Sequence, residues 1–343
     1  MDKEADGKYY AHDAAAIKKV MDDKPWEKNP KNFAKCNISA LAGMRMLKHA
    51  LSGVKKGRAR DGGKGLPLEV MGLMVGRPSA DSITVLDAIP LPCDGFESEW
   101  NVNISQKAMM LMIKVQERIE AKGTKEEIIG WYHSHPFEVG VHNNCFMSAI
   151  DVNTQSMYQK AIKKHWTAVV VDPLRCVAKS KLEMSAFRAY PDHFKPPADQ
   201  APDGEPIREN AGKNWGTYPE RYYQLQTKFF MSSIARSTMD LFSKDSLWIR
   251  ILSNSKIDDE EYAGKVIKRI GKATTKMAAS IGVARYEKGS NKDKPNPAVE
   301  DSTKIAHELC TEQTLGILRH ALFCGCKRIS SAGDSKWAYL SSK

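Results

Sequence analysis

A chain of 343 residues with 42% hydrophobic and 27% charged residues has the make-up of a globular protein, long enough for one large domain or one domain with a substantial extension. No apolar run approaches the ~20 residues of a membrane-spanning helix, and the polar start Met1-Asp2-Lys3-Glu4-Ala5-Asp6 is no signal peptide, so no membrane partner is expected. The net charge of +11 invites a nucleic-acid reading, but the basic run Lys55 to Lys64 has no interleaved aromatics and no reader motif, which favours a solvated loop and no direct nucleic-acid contact. In chain order, an N-terminal arm to Lys31 holds a helical stretch at Ala14 to Met21. Ile38, Leu41, Met44, Leu47 and Leu51 then recur at helical spacing. Beyond the basic loop, Leu68 to Gly76 and Ile83 to Ile89 read as strands, and Ser105 to Ala121 as an amphipathic helix. A strand over Glu127 to Tyr132 follows a Gly-Thr turn, then a helix over Ser148 to Lys164, then strands at Trp166 to Val171 and Glu183 to Tyr190.

From Pro191 to Gly216 the composition shifts to Pro, Asp, Gly, Glu and Asn, an irregular connection. Tyr218 to Leu252 and Asp258 to Ile281 read as helical, and a charged linker (Arg285 to Pro297) precedes a last amphipathic helix, Ser302 to Phe323. This mixture without a regular βα repeat predicts an α/β (α+β) domain with a mixed sheet flanked by helices rather than a barrel, plus a C-terminal helical extension. Seven cysteines scattered without a framework read as reduced thiols inside the cell, and Cys324-Gly325-Cys326 has no second pair nearby to complete a metal clip. Phosphate-cradling and dinucleotide glycine motifs are absent, as is the H-x-E and P-C-x-x-C signature of zinc deaminases.

The chemistry concentrates in Gly130-Trp131-Tyr132-His133-Ser134-His135-Pro136 and Ser148-Ala149-Ile150-Asp151. Alternation along a strand projects His133 and His135 to one face while Ser134 faces away, and Ser148 and Asp151, three apart, share a helical face. Two imidazole nitrogens and one carboxylate oxygen leave a fourth tetrahedral position for water, the open arrangement of catalytic zinc (Zn2+, one per chain). The alternative for such a pair is two hydrogen-bonded structural histidines, and Ser148 also suits a helix N-cap.

With these motifs the chain resembles the JAMM (MPN-plus) metalloproteases, and within them the branch serving the COP-nine signalosome. The stretch Leu68-Glu69-Val70-Met71-Gly72 looks like the family's glutamate-bearing strand, and Asp151-Val152-Asn153-Thr154-Gln155 and Ala168-Val169-Val170-Val171-Asp172-Pro173 match as well. More selective for that branch are Lys24-Pro25-Trp26, Ile38-Ser39-Ala40-Leu41, Ala186-Phe187-Arg188-Ala189-Tyr190-Pro191, Lys195-Pro196-Pro197 and Tyr222-Tyr223. The resemblance implies an MPN domain of cytidine-deaminase-like architecture at 32–190, after an arm at 1–31. It is followed by a connection at 191–217, a helical region at 218–284, a linker at 285–301 and a terminal helix and tail at 302–343. It implies zinc ligands at His133, His135 and Asp151, a water-holding, proton-shuttling glutamate at Glu69, and an intermediate-stabilising serine at Ser148. It also implies a loop glutamate, best matched by Glu97 with Glu99 close by, that occupies the open metal position in the isolated subunit. The implied activity is removal of the ubiquitin-like modifier Nedd/Rub from cullin lysines. Other signalosome subunits would be held through the C-terminal helices, in cytoplasm and nucleus.

The chain departs from the family in one place. Twelve residues separate His135 from Ser148, where the family has seven, and Phe137 stands where the family has glycine. Five extra loop residues cost only ~0.5 kcal/mol of closure entropy, so the ligands can still meet. His142 lies in this insertion as a further candidate ligand, although a loop histidine without an orienting partner more often faces solvent. The basic segment Val54 to Lys64 is a second insertion, upstream of Glu69. The rival readings are a catalytically impaired MPN scaffold, kept alive by the longer loop, and a related deubiquitinase.

Overall fold

The computed structural model describes all residues except 1–6, 12, 92–96, 99–100, 103–105, 122–125, 141, 143, 163–164, 208–213, 234, 238–239, 241–251, 253–259, 285–296 and 320–343. It divides into two compact units, Met1–Asp245 and Ser246–Lys343. In the first, α1 (Ala14–Asp23) is capped by Asp13, whose side chain accepts the Ala16 N–H at 2.9 Å. Strand β1 (Lys35–Ser39) leads directly into α2 (Ala40–Arg58). Ser39 is the switch between them, its hydroxyl oxygen accepting the Ala42 N–H at 3.0 Å. The helical spacing that starts at Ile38 therefore begins two residues early, because Ile38 belongs to the strand. The basic segment is also less of a loop than expected: α2 runs through Lys55, Lys56 and Arg58, cations that suit a helix C-terminus.

Strands β2 (Met71–Pro78) and β3 (Ser82–Pro90) form an antiparallel pair, and a two-stranded ribbon of β4 (Glu97–Ser98) and β5 (Asn101–Val102) precedes α3 (Gln106–Ala121). Then come β6 (Glu127–Ser134), α4 (Ala149–Ala161), β7 (Thr167–Val171), α5 (Pro173–Lys179) and β8 (Met184–Ala189). The last strand of this unit, β9 (Tyr222–Phe230), corrects the helical reading of residues 218–252. Its aromatics and the polar residues at Gln224, Gln226 and Lys228 suit a pleated surface, and pairing with distant strands decides its conformation.

The sheet order is β1-β3-β2-β6-β7-β8-β9, and β9 pairs in parallel with β1. The mixed sheet thus closes on itself as a barrel, where the element order had argued against a barrel. Element order alone cannot reveal the β1–β9 pairing, which joins residues some 190 positions apart. Helix α2 lies against β1, β3, β6 and β7 and is buried on most sides through Ala42, Met46, Leu47 and Ala50. The opposite sheet face, with Leu73, Trp131, Ala168 and Phe187, packs with Val152 and Tyr158 of α4 and Ile119 of α3. The MPN-type mixture of sheet and helices is as expected.

The second unit contains α6 (Glu260–Ala284) and α7 (Pro297–Arg319), packed through Val266, Ala273 and Ile305 with Tyr262 and Leu309 alongside. Tyr262 donates to Glu308 at 2.6 Å, and Arg269 donates to the other oxygen of that carboxylate at 3.1 Å. This helical C-terminal region matches the expected extension. Among the described residues no helix is long and apolar enough to cross a membrane.

Candidate metal centre

The two histidines sit where β6 ends between two neighbours. Met71 of β2 pairs with His133, and Val170 of β7 flanks it on the other side. His135, one residue past the strand, still donates its N–H to the Val171 carbonyl at 2.9 Å, which keeps it in register with His133. Asp151 approaches from the first turn of α4, where it forms a capping box with Ser148. The Ser148 hydroxyl accepts the Asp151 N–H at 3.2 Å, and the Asp151 carboxylate accepts the Ser148 N–H at 2.7 Å.

These elements bring His133, His135 and Asp151 into one cluster with ligand atoms within 4.8 Å of one another. The two Nε2 atoms are 3.2 Å apart, and they lie 3.3 and 3.5 Å from Asp151 Oδ2. Ligands ~2.0–2.1 Å from a tetrahedral zinc are ~3.3–3.4 Å from each other, so the three atoms form one face of such a tetrahedron. His135 Nδ1 lies 2.9 Å from the Asn144 carbonyl, which accepts a hydrogen bond and therefore fixes the proton on Nδ1, leaving the Nε2 lone pair facing the cluster. The His133 ring stacks on Trp131, with centroids 4.6 Å apart, and Trp131 is anchored by donation to Gln155 at 2.8 Å. Burial alone would raise the Asp151 pKa, but the His133 and His135 imidazoles hold it well below the carboxylate range. A donor set of two imidazoles and an ionised carboxylate fits a zinc ion.

Glu69 lies outside this three-atom cluster but within electrostatic reach of it. It sits two residues before β2, buried, in an extended segment fastened on both sides. On one side Ser134 accepts the Val70 N–H at 3.0 Å through its hydroxyl and donates its own N–H to the Val70 carbonyl at 3.0 Å. On the other, Leu68 donates to the Gly53 carbonyl at 3.3 Å, and Gly53 and Gly57 leave α2 smooth enough for direct backbone contact. A Cβ on Gly57 would stand 2.1 Å from the Leu66 carbonyl oxygen. Burial pushes the Glu69 carboxyl up to about 7, with Asp151 pushing the same way and His135 opposing.

Glu97 has its backbone in β4, opposite Val102, but its side chain and all of Glu99 lie outside the described residues. His142 is exposed and is not part of the cluster. Cys36, Cys145, Cys176 and Cys310 are thiols, while Cys324 to Cys326 lie outside the described residues. Sequence reasoning missed Ser134, Asn144, Asp172, Gly53 and Gly57 as supports of the site. Only Asp172 carried a local signal, an Asp-Pro pair that reads as an N-cap followed by proline at the first helical position.

The fold and this cluster define the class as an MPN-domain protein with a JAMM-type metal motif. A family profile described as JAB1/Mov34/MPN/PAD-1 ubiquitin protease matches residues 31–164. The chain is 32% identical over 339 residues to COP9 signalosome complex subunit 5 of Oryza sativa subsp. japonica, covering 95% of this chain and 88% of that protein. It is also 32% identical over 321 residues to the subunit 5 of Caenorhabditis elegans (91% and 81% covered). The Drosophila melanogaster subunit 5 is 32% identical over 317 residues (92% and 90%). The chain belongs to the family of COP9 signalosome subunit 5.

Proposed function

We infer that this chain is a zinc-dependent isopeptidase working as a subunit of a signalosome-type complex, with a ubiquitin-like modifier joined to a cullin lysine as its substrate. The observation that carries this reading is the open triangle of His133, His135 and Asp151 with a buried carboxylate beside it. A bound zinc supplies Lewis acidity and can lower the pKa of a water from ~16 to ~7. His133, His135 and Asp151 would hold that ion. Glu69 takes the proton from the attacking water as its oxygen bonds to the isopeptide carbonyl carbon. It returns a proton to the lysine nitrogen as the C–N bond breaks. Burial favours its protonated form, which supports the proton-returning half of that role. Ser148 Oγ uses a lone pair to cap α4, which leaves its O–H to donate toward the developing oxyanion. Glu97 is assigned the regulatory role of a competing ligand at the open side. The C-terminal helices are assigned to contacts with other subunits, and the protein to cytoplasm and nucleus.

The test combines zinc analysis of purified protein with cleavage of a modifier–cullin conjugate and of ubiquitin chains, with and without partner subunits. One zinc per chain and cleavage of the conjugate within the complex are expected. Glu69→Gln should keep the zinc and lower the cleavage rate by about 10²–10⁴. Absence of zinc, or full activity of that variant, contradicts the mechanism. Preference for ubiquitin chains favours a deubiquitinase, and zinc without cleavage of either favours a scaffold. Equal activity of the lone chain and the complex refutes the role given to Glu97.

A further inference from the structure

Three residues of the lengthened segment between His135 and Ser148, namely Phe137, Asn144 and Phe146, touch His135. Asn144, near the segment's end, presents its carbonyl to His135 Nδ1 at 2.9 Å. Asn144 is itself held by Asp172, whose Oδ2 accepts its backbone N–H at 3.0 Å and its side-chain amide at 3.1 Å. Asp172 is fully buried, and its Oδ1 caps α5 by accepting the Arg175 N–H at 2.9 Å, so the carboxylate is fixed at both oxygens. Arg175 grips the segment a second time. One terminal nitrogen donates to the Gly140 carbonyl at 2.8 Å and to the His142 carbonyl at 3.1 Å. Phe137 and Phe146, from the two ends of the segment, lie against the His135 ring with centroids 4.9 Å away in each case.

We propose that this segment is a positioning clamp for His135. The Asn144 carbonyl sets the tautomer and the aim of Nε2, the two phenylalanine rings limit rotation of the imidazole, and Asp172 and Arg175 of α5 hold the clamp shut. The inference rests on the metal-centre reading above and deepens it. A carbonyl behind a ligating imidazole raises its basicity and lowers the cost of ordering it, and losing such a partner typically weakens metal binding by about 10–100-fold. Within the lengthened stretch, Arg175 of α5 therefore holds the Gly140 and His142 carbonyls while Phe137 lies against the His135 ring. Asn144, Asp172 and Arg175 are positioning residues that act on the metal through His135.

The test measures zinc affinity of the full-length protein by chelator competition, together with the visible spectrum of its cobalt(II) form, in Asp172→Asn, Arg175→Ala and Arg175→Lys. Asp172→Asn should weaken zinc by about 10–100-fold and shift the cobalt bands. Arg175→Ala should weaken it several-fold. Arg175→Lys should recover most of the loss, because a single nitrogen makes both carbonyl contacts. Thermal melting of the metal-free forms separates this role from a structural one. Affinity and cobalt spectrum unchanged in all variants, even with a lowered melting temperature, would overturn the proposal. Should Asp172→Asn fail to fold, the exposed contacts of Arg175 decide the matter alone. Failure of the unsubstituted protein to take up zinc would instead overturn the metal-centre reading itself.

Discussion

Burial costs Glu69 its charge. Despite the opposing pull of His135, its carboxyl is pushed up to about 7 in the folded chain against 4.5 for an exposed glutamate. Between pH 4.5 and 7 the folded state keeps a proton that the unfolded state has lost, so stability falls as pH rises and the full loss is felt above 7. The loss is of order 3 kcal/mol, from 1.36 kcal/mol per unit of pKa. In chelator-treated protein, Glu69→Gln should therefore raise the unfolding free energy by a few kcal/mol at pH 8 and change it little at pH 4. Denaturant titrations at the two pH values check this, and equal effects at both would show that the carboxyl is not desolvated. In the proposed mechanism, the burial that is unfavourable for stability serves the base role assigned to Glu69. The three candidate ligands were legible in the sequence because strand alternation and a helix turn fix their mutual geometry within 19 residues. Glu69 was legible only through family resemblance, since it reaches the site by a pairing between segments 64 residues apart.

Among the elements, α2 does more for the site than its sequence announced. Its glycines at 53 and 57, one helical turn apart, form a bare strip along which residues 66–68 run in backbone contact. Gly57→Ala would gain up to ~1 kcal/mol of helix propensity but force a Cβ against the Leu66 carbonyl oxygen and the Leu68 nitrogen, at 2.1 and 2.7 Å. Overpacking of this kind costs about 1–3 kcal/mol, so the variant should unfold at lower denaturant and lose activity as Glu69 shifts. Gly271→Ala in α6, where among the described residues no atom beyond the helix's own backbone lies within 4 Å, should be neutral or stabilising. Equal unfolding midpoints for the two variants would remove the strip from the account. Nothing in the spacing of Gly53 and Gly57 distinguishes a packing strip from a weak helix, which is why the sequence did not disclose it. Likewise β9 carries aromatics suited to a strand, yet only its partners β1 and β8, far away in the chain, select that conformation.

For the whole molecule, β9 moves the end of the metal-bearing unit from the expected residue 190 to beyond residue 230. A chain ended after residue 217 lacks the strand joining β8 to β1 and leaves both as open edges, so it should aggregate or melt without cooperativity. A chain ended at Asp245 keeps the compact first unit and should melt cooperatively with the zinc affinity of the full protein. Calorimetry and chelator competition on the two fragments check this, and cooperative melting of the shorter one would contradict the role of β9. The central claim, a zinc ion held by His133, His135 and Asp151, is tested most directly by X-ray absorption at the zinc edge on the full-length protein. The account predicts one zinc per chain with only nitrogen and oxygen neighbours at ~2.0–2.1 Å, including two imidazoles, and loss of that signal in Asp151→Ala. Sulfur neighbours at ~2.3 Å, as a site at Cys324 and Cys326 would give, or an unchanged spectrum in Asp151→Ala, would contradict it.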